Sequence, residues 1–165
     1  MKKIIIAEFI ILLIACNSHR QDVLVTGLEG QPLPTFRILS HDSTSSYYTT
    51  ANRRSGATIL FYYSPTCPYC RAQMKDMLQT MNRMVGVQVY AITSAPYKAM
   101  KQFYEHFELK KFSNVIAGVD TGLSVSKYYK IKSVPYTIVY GKNGKLKHVY
   151  SGQIYSSQLI AVVGR

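Results

Sequence analysis

The sequence predicts an α/β domain in which a mixed central sheet is flanked by helices and preceded by an N-terminal β extension. Three observations predict it. The run "ATILFYY" at 57–63 is almost wholly apolar between Gly56 and Ser64-Pro65, as in a strand buried on both faces. Two more runs rich in β-branched residues, "VQVYAIT" at 87–93 and "NVIAGVD" at 114–120, alternate with stretches of helical spacing. Finally, "VPYTIVYGKNGKLKHVYSG" at 134–152 reads as a hairpin about Asn143-Gly144, a pair favoured in type I′ turns, and so as an antiparallel edge.

The remaining elements follow in order. Gly27, Gly30, Pro32 and Pro34 punctuate residues 23–39, which read as an N-terminal β-hairpin or cap with a strand at 35–39. Residues 40–56 are loop-rich, with a short strand at 47–50. Past residue 67, Met74, Met77, Leu78, Met81, Met84 and Val85 fall on one helical stripe, which Gly86 ends. Methionines so placed are core, where thioethers fill irregular gaps. Pro96 opens a further helix with Tyr97, Met100, Phe103 or Tyr104, and Phe107 facing inward. A short helix at 121–129 and an amphipathic segment at 156–163 complete the series.

The first eighteen residues, "MKKIIIAEFIILLIACNS", place two lysines before an apolar stretch from Ile4 to Ile14. Eleven residues at about 1.5 Å each do not cross a hydrocarbon core of about 30 Å, so the stretch reads as an export signal. Leu13-Ile14-Ala15-Cys16 resembles the bacterial lipobox, although Glu8 opposes insertion. The resemblance implies that residues 1–15 are removed and Cys16 is acylated. Residues 16–22 then form a tether, and 23–165 the domain. Loss of Lys2, Lys3 and Glu8 leaves 18 basic and 7 acidic side chains, a net +11 against +12 for the whole chain.

That charge is scattered over Arg53-Arg54, Lys110-Lys111, Lys142, Lys145 and Lys147. No helix or motif gathers it to read nucleic acid, so the expectation is a basic surface near an anionic bilayer. One domain's length leaves no room for a dimerisation module, and a monomer is expected.

The chemistry is concentrated in "TCPYC", residues 66–70. Cys67 lies where the buried strand passes into a helix, and Pro68 suits the first helical position. Unbonded N–H groups and the positive helix end favour a thiolate on Cys67, and Arg71 and Lys75 add to this. Between Glu29 and Asp76 the only acid is Asp42. Cys67 is therefore expected to be the nucleophile. Cys70, one turn on and shielded by the helix, should keep its proton longer and resolve the mixed disulfide. Pro68 and Tyr69, between the thiols, tune the dithiol–disulfide balance. Such exchange needs no cofactor and no metal.

Together "TILFYYSPTCPYC", the helix after it, the long stretch from Val119 to Gly152 and "LPTFRIL" at 33–39 resemble the thioredoxin superfamily, and most closely its membrane-anchored TlpA/ResA-like branch. The resemblance implies a thioredoxin-like fold over about residues 30–163. It also implies a cis proline packed on the active disulfide, which Val134-Pro135 matches, and an open backbone edge at Val134 for an extended substrate. Three departures stand out: Thr66 replaces a frequent Trp, and Phe61 and Gln73 stand where relatives carry an acid that takes the second cysteine's proton.

Other chemistries fit less well. A structural zinc site needs four ligands, and His19, His41, His106 and His148 lack the spacing to complete one. Sco-like copper delivery asks for CxxxC plus a late His, which only His148 could supply. A peroxidatic PxxxTxxC would need Pro at Leu60 and Thr at Ser64. A non-catalytic, lipid-anchored binding module is the remaining alternative. The sequence thus points to a thiol:disulfide oxidoreductase in the periplasm-facing cell envelope. Its expected partners are disulfides of exported proteins, which it reduces, and a membrane electron donor.

Overall fold

A computed structural model describes residues 21–50 and 55–164. Seven strands form one sheet: β1 (Arg37–Ser40), β2 (Ser46–Tyr48), β3 (Thr58–Tyr62), β4 (Gln88–Thr93), β5 (Val115–Val119), β6 (Tyr136–Tyr140) and β7 (Leu146–Ser151). Their spatial order is β2-β1-β5-β4-β3-β6-β7. The three central strands β3, β4 and β5 are parallel, and all other pairings are antiparallel. Among the described residues four α-helices accompany them: α1 (Pro68–Gln79), α2 (Tyr97–His106), α3 (Ser124–Tyr128) and α4 (Ser156–Val163). This is the thioredoxin-like arrangement that the sequence resemblance implies.

The apolar run at 57–63 is explained by its two neighbours. Ile59, Phe61 and Tyr63 face one core with Met74, Met77, Met100, Phe103, Leu159 and Val162, from α1, α2 and α4. Leu60 and Tyr62 face the other, with Val125, Tyr129, Leu33 and Phe36. Every residue of β3 is buried, so alternation disappears from its sequence.

Three local expectations are corrected. The helix after the cysteines stops at Gln79 rather than running to Gly86, and a 3₁₀ turn at Met81–Arg83 follows. The Thr80 hydroxyl donates to the carbonyls of Asp76 and Met77, which competes with continuation of the helix, and Val85 is left exposed. The final hairpin does not use a type I′ turn, because Gly144 has positive φ and Asn143 does not. Gly144 N–H instead closes a four-residue turn on Gly141 O at 2.8 Å, and the register shifts between Val139 and Tyr140. The N-terminal β extension is the β1–β2 hairpin alone. The chain before it joins the sheet through single contacts such as Leu24 N–H to Val149 O at 2.7 Å.

The topology decides where chemistry can occur. Tyr62, the last residue of β3, pairs with Tyr136, the first of β6. The segments just outside that pair, 63–67 and 133–135, therefore emerge side by side at one end of the sheet.

Candidate functional site

Both cysteines are free thiols at that end. Cys67 is the N-cap of α1, with extended backbone (φ −71°, ψ 121°), and Pro68 begins the helix. The Cys70 N–H donates to Cys67 Sγ at 3.4 Å, so the sulfur takes the place of a capping oxygen. Cys67 is partly exposed. Its Sγ also lies 3.9 Å from Val134 O. The Val134–Pro135 peptide bond is cis, and Pro135 is buried beside the dithiol. Tyr69 is 63% exposed, and Pro68 is exposed as well.

Cys70 differs from its neighbour in environment. Cys70, three residues past the N-cap, falls on the face of α1 that packs on the sheet, and it is fully buried among Tyr63, Met74 and the α1–α4 core. Burial pushes its thiol up from 9.0 to about 12, partly offset by the Ser64 backbone N–H. The Cys67 sulfur beside it adds to the upward shift. Arg71 is not aimed at the sulfurs. Its guanidinium donates to Pro65 O at 3.2 Å and lies 5.4 Å from the centre of the Phe107 ring.

The positions at which relatives carry an acid have other work here. Phe61 is core, stacked at 5.7 Å on Tyr63. Gln73, 1% exposed, bridges the start of β6 and the segment before α4: Nε2 donates to Thr137 Oγ1 at 2.8 Å, and Oε1 accepts from the Ile154 N–H at 3.0 Å. Tyr63 escaped the sequence reading. Its buried hydroxyl has no hydrogen-bond partner, and burial followed by the nearby Cys70 drives its ionisation upward. A tyrosine four residues before the first cysteine, in an otherwise apolar strand, was the available signal.

Also absent from the sequence reading is a groove of about 320 Å³ beside the dithiol, lined by Gln21, Tyr69, Val134, Pro135, Gln153 and Tyr155, with Gly152. Tyr155, 52% exposed, faces it from the segment before α4. Gln21 is drawn in from the N-terminal end: its Nε2 donates to Ser151 O at 2.7 Å and its backbone O accepts from Gln158 Nε2 at 2.6 Å. The structure thus brings Cys67, Cys70, Val134, Pro135 and Tyr69 together, with Pro68 between the thiols. Cys16 lies outside the described residues. Among the described residues no three His, Cys, Asp or Glu side chains converge as a metal-binding group, and no helix is long and apolar enough to cross a membrane.

Comparison with known proteins gives a consistent picture. Residues 30–149 match the family model described as the AhpC/TSA family. No curated protein matches the chain. Among solved structures it is similar to a secreted Mycobacterium tuberculosis disulfide oxidoreductase homologous to E. coli DsbE, at 18% identity and TM-score 0.66, covering 78% of this chain and 94% of that one. It is similar to DsbF of M. tuberculosis, at 18% identity and TM-score 0.67, over 86% and 97% of the two chains. Peroxidoxin BcpB of the same organism also matches, at 14% identity and TM-score 0.68, over 88% and 97%. At these identities the likeness is one of fold.

Proposed function

Because the chain belongs to the AhpC/TSA family of the thioredoxin superfamily, over residues 30–149, we propose that it is a thiol:disulfide oxidoreductase acting through Cys67 and Cys70. One observation carries the reading: the thiols are unequal, with Cys67 partly exposed at a helix N-cap and Cys70 buried and pushed up to about 12. Cys67 as thiolate attacks one sulfur of a substrate disulfide, forming a mixed disulfide and releasing the first substrate thiolate. Cys70, as thiolate, then attacks Cys67 Sγ. The second substrate sulfur leaves, and the two electrons of the dithiol have passed to the substrate as the 67–70 disulfide forms.

Val134 and Pro135 position the partner. The Val134 carbonyl beside Cys67 Sγ and the groove running past Tyr69 support pairing with an extended segment. Pro68 and Tyr69 set the balance between dithiol and disulfide. Gln73 and Phe61 supply no acid, so the Cys70 proton passes to water or to an acid from another loop. The family resemblance and the signal-like N-terminus support a reductase of exported protein disulfides. On that reading it is anchored through lipidated Cys16, monomeric and recharged by a membrane electron donor.

The test uses two variants. Cys67→Ser abolishes disulfide exchange, while Cys70→Ser accumulates mixed disulfides with its partners on non-reducing gels. Undiminished exchange in Cys67→Ser refutes the assignment. Direction is read from the 67–70 reduction potential. A value near that of thioredoxin, about −270 mV, agrees with a reductase, and one near that of DsbA, about −120 mV, refutes it.

A further inference from the structure

Charge at the dithiol end of the sheet is mostly positive; the exposed acid near it, Glu29, acts on the Tyr136 phenol and is held in a turn by the Thr26 and Gly27 N–H groups. The connections from β4 into α2, and from β5 through α3 to β6, both run across that end. With the first turn of α2 they carry Lys98, Lys127, Lys130 and Lys132, all exposed, with Lys132 two residues from Val134. The acids nearby are turned to structural use. Asp120 is buried and accepts from the backbone N–H groups of Ser124, Val125 and Ser126. Asp76 accepts from the Ser156 N–H and hydroxyl. Asp42 closes its own turn on Thr44 and Ser45. Asp22 lines a separate pocket with Lys147 and His148. Among the described residues the ion pairs are Lys101 with Glu105 and Lys111 with Glu108, so none engages these four lysines.

The same end carries the groove past Val134 and Pro135, with two exposed tyrosine rings on its walls and no acid in its lining. Its volume of about 320 Å³ admits one large side chain and the backbone that bears it. Exposed aromatics beside a reactive atom are the sort of group that anchors a partner, and unpaired lysines around them draw negative charge.

Building on the oxidoreductase reading, we propose that the site selects acidic, extended polypeptide segments that carry an apolar side chain next to the reacting cysteine. The apolar side chain enters between Tyr69 and Tyr155, which brings the neighbouring disulfide onto Cys67. Acidic residues on either side meet Lys130 and Lys132. The lysine rim acts mainly on encounter, and steering of this kind accelerates association by about 10- to 1,000-fold and fades as salt rises.

The experiment measures second-order rates of reduction by the purified dithiol protein. Substrates are acidic, neutral and basic disulfide peptides of equal length, each with Phe or Gly beside one cysteine, and a neutral hydroxyethyl disulfide. At low ionic strength the acidic Phe peptide should react about tenfold faster than the basic one, with the gap closing in high salt, and faster than its Gly counterpart. Lys130→Gln with Lys132→Gln should remove most of the charge preference. Lys142→Gln with Lys145→Gln, an equal loss of charge in the β6–β7 turn at the opposite end of the sheet, should leave it intact. Equal rates for acidic and basic peptides, a basic preference, indifference to Phe, or equal effects of the two lysine pairs would each overturn the proposal. Absence of exchange even with the hydroxyethyl disulfide would instead refute the oxidoreductase reading itself.

Discussion

The buried resolving thiol makes a quantitative demand on the pH dependence of turnover. Cys70 is fully buried, and burial is the main cause of its shift from 9.0 to about 12. Three pH units at 1.36 kcal/mol each correspond to about 4 kcal/mol against ionisation. When Cys67 is held in a mixed disulfide its own contribution to that shift is lost, but the burial remains. At pH 7 the thiolate fraction of Cys70 is about one part in 10⁵ in the dithiol, and larger, though still small, in the mixed disulfide. The resolving rate should go on climbing about tenfold per unit past pH 9, to about pH 10, without levelling, since thiolate is the attacking species. The assay loads Cys67 with a coloured aryl disulfide and follows release of the aryl thiolate by stopped flow after a pH jump. Levelling between about pH 9 and 10 would mean an ordinary thiol and would refute the link between burial and reactivity. The same shift has a stability sign. The fold favours the neutral thiol, so this contribution is complete below about pH 9 and is lost as pH rises through about 12. Cys70→Ala should lack that alkaline loss in chemical denaturation.

Other perturbations test the framework. Gln73→Ala breaks the bridge between Thr137 and Ile154 inside the protein, and should cost about 2–4 kcal/mol in urea denaturation. An unchanged midpoint would show that the bridge is not needed. Tyr63→Phe removes a buried hydroxyl with no partner and should raise stability by about 1 kcal/mol, read as an increase in Tm. A fall in Tm would mean that the hydroxyl is bonded in solution. Gly118→Ala would place a Cβ 2.5 Å from Leu39 O. It should therefore loosen β1 from β5, costing about 1–3 kcal/mol and speeding amide exchange in the β1–β2 hairpin, while Cys67 reactivity is retained.

What could be read in advance was set by local rules. The buried strand, the N-cap at Cys67 and the proline that starts α1 all depend on neighbours within a few residues, and each was legible. The end of α1 was not, because the methionine stripe continues past it through a 3₁₀ turn while a single Thr80 hydroxyl interrupts the ladder. The groove lay beyond sequence reach for a different reason. Gln21 and Gln158 meet across a separation of 137 residues, and Tyr155 joins Tyr69 only because α4 packs on α1. Gln73 is instructive in another way. As a letter it registers only as a missing acid, whereas in the fold it ties the start of β6 to the segment before α4.

The inequality of the two thiols follows from helix geometry more than from any special neighbour. Position N-cap lies outside the helical repeat, so Cys67 keeps a free face, and its sulfur meets a backbone N–H that no intrahelical carbonyl can claim. Three residues on, the chain has turned through almost a full helical repeat, and Cys70 must face whatever the helix packs on, here the fully buried β3. Moving the pair one residue along α1 would place the first thiol inside the helix and turn the second away from the sheet. The attacking and resolving roles would then lose their physical basis. The spacing is tied to the register as well, since Tyr62 pairs with Tyr136 and so delivers Val134 to the exposed sulfur and not to the buried one. On the proposed mechanism an extended partner lying along Val134 therefore reaches Cys67 first, and Cys70 acts only on the mixed disulfide that results.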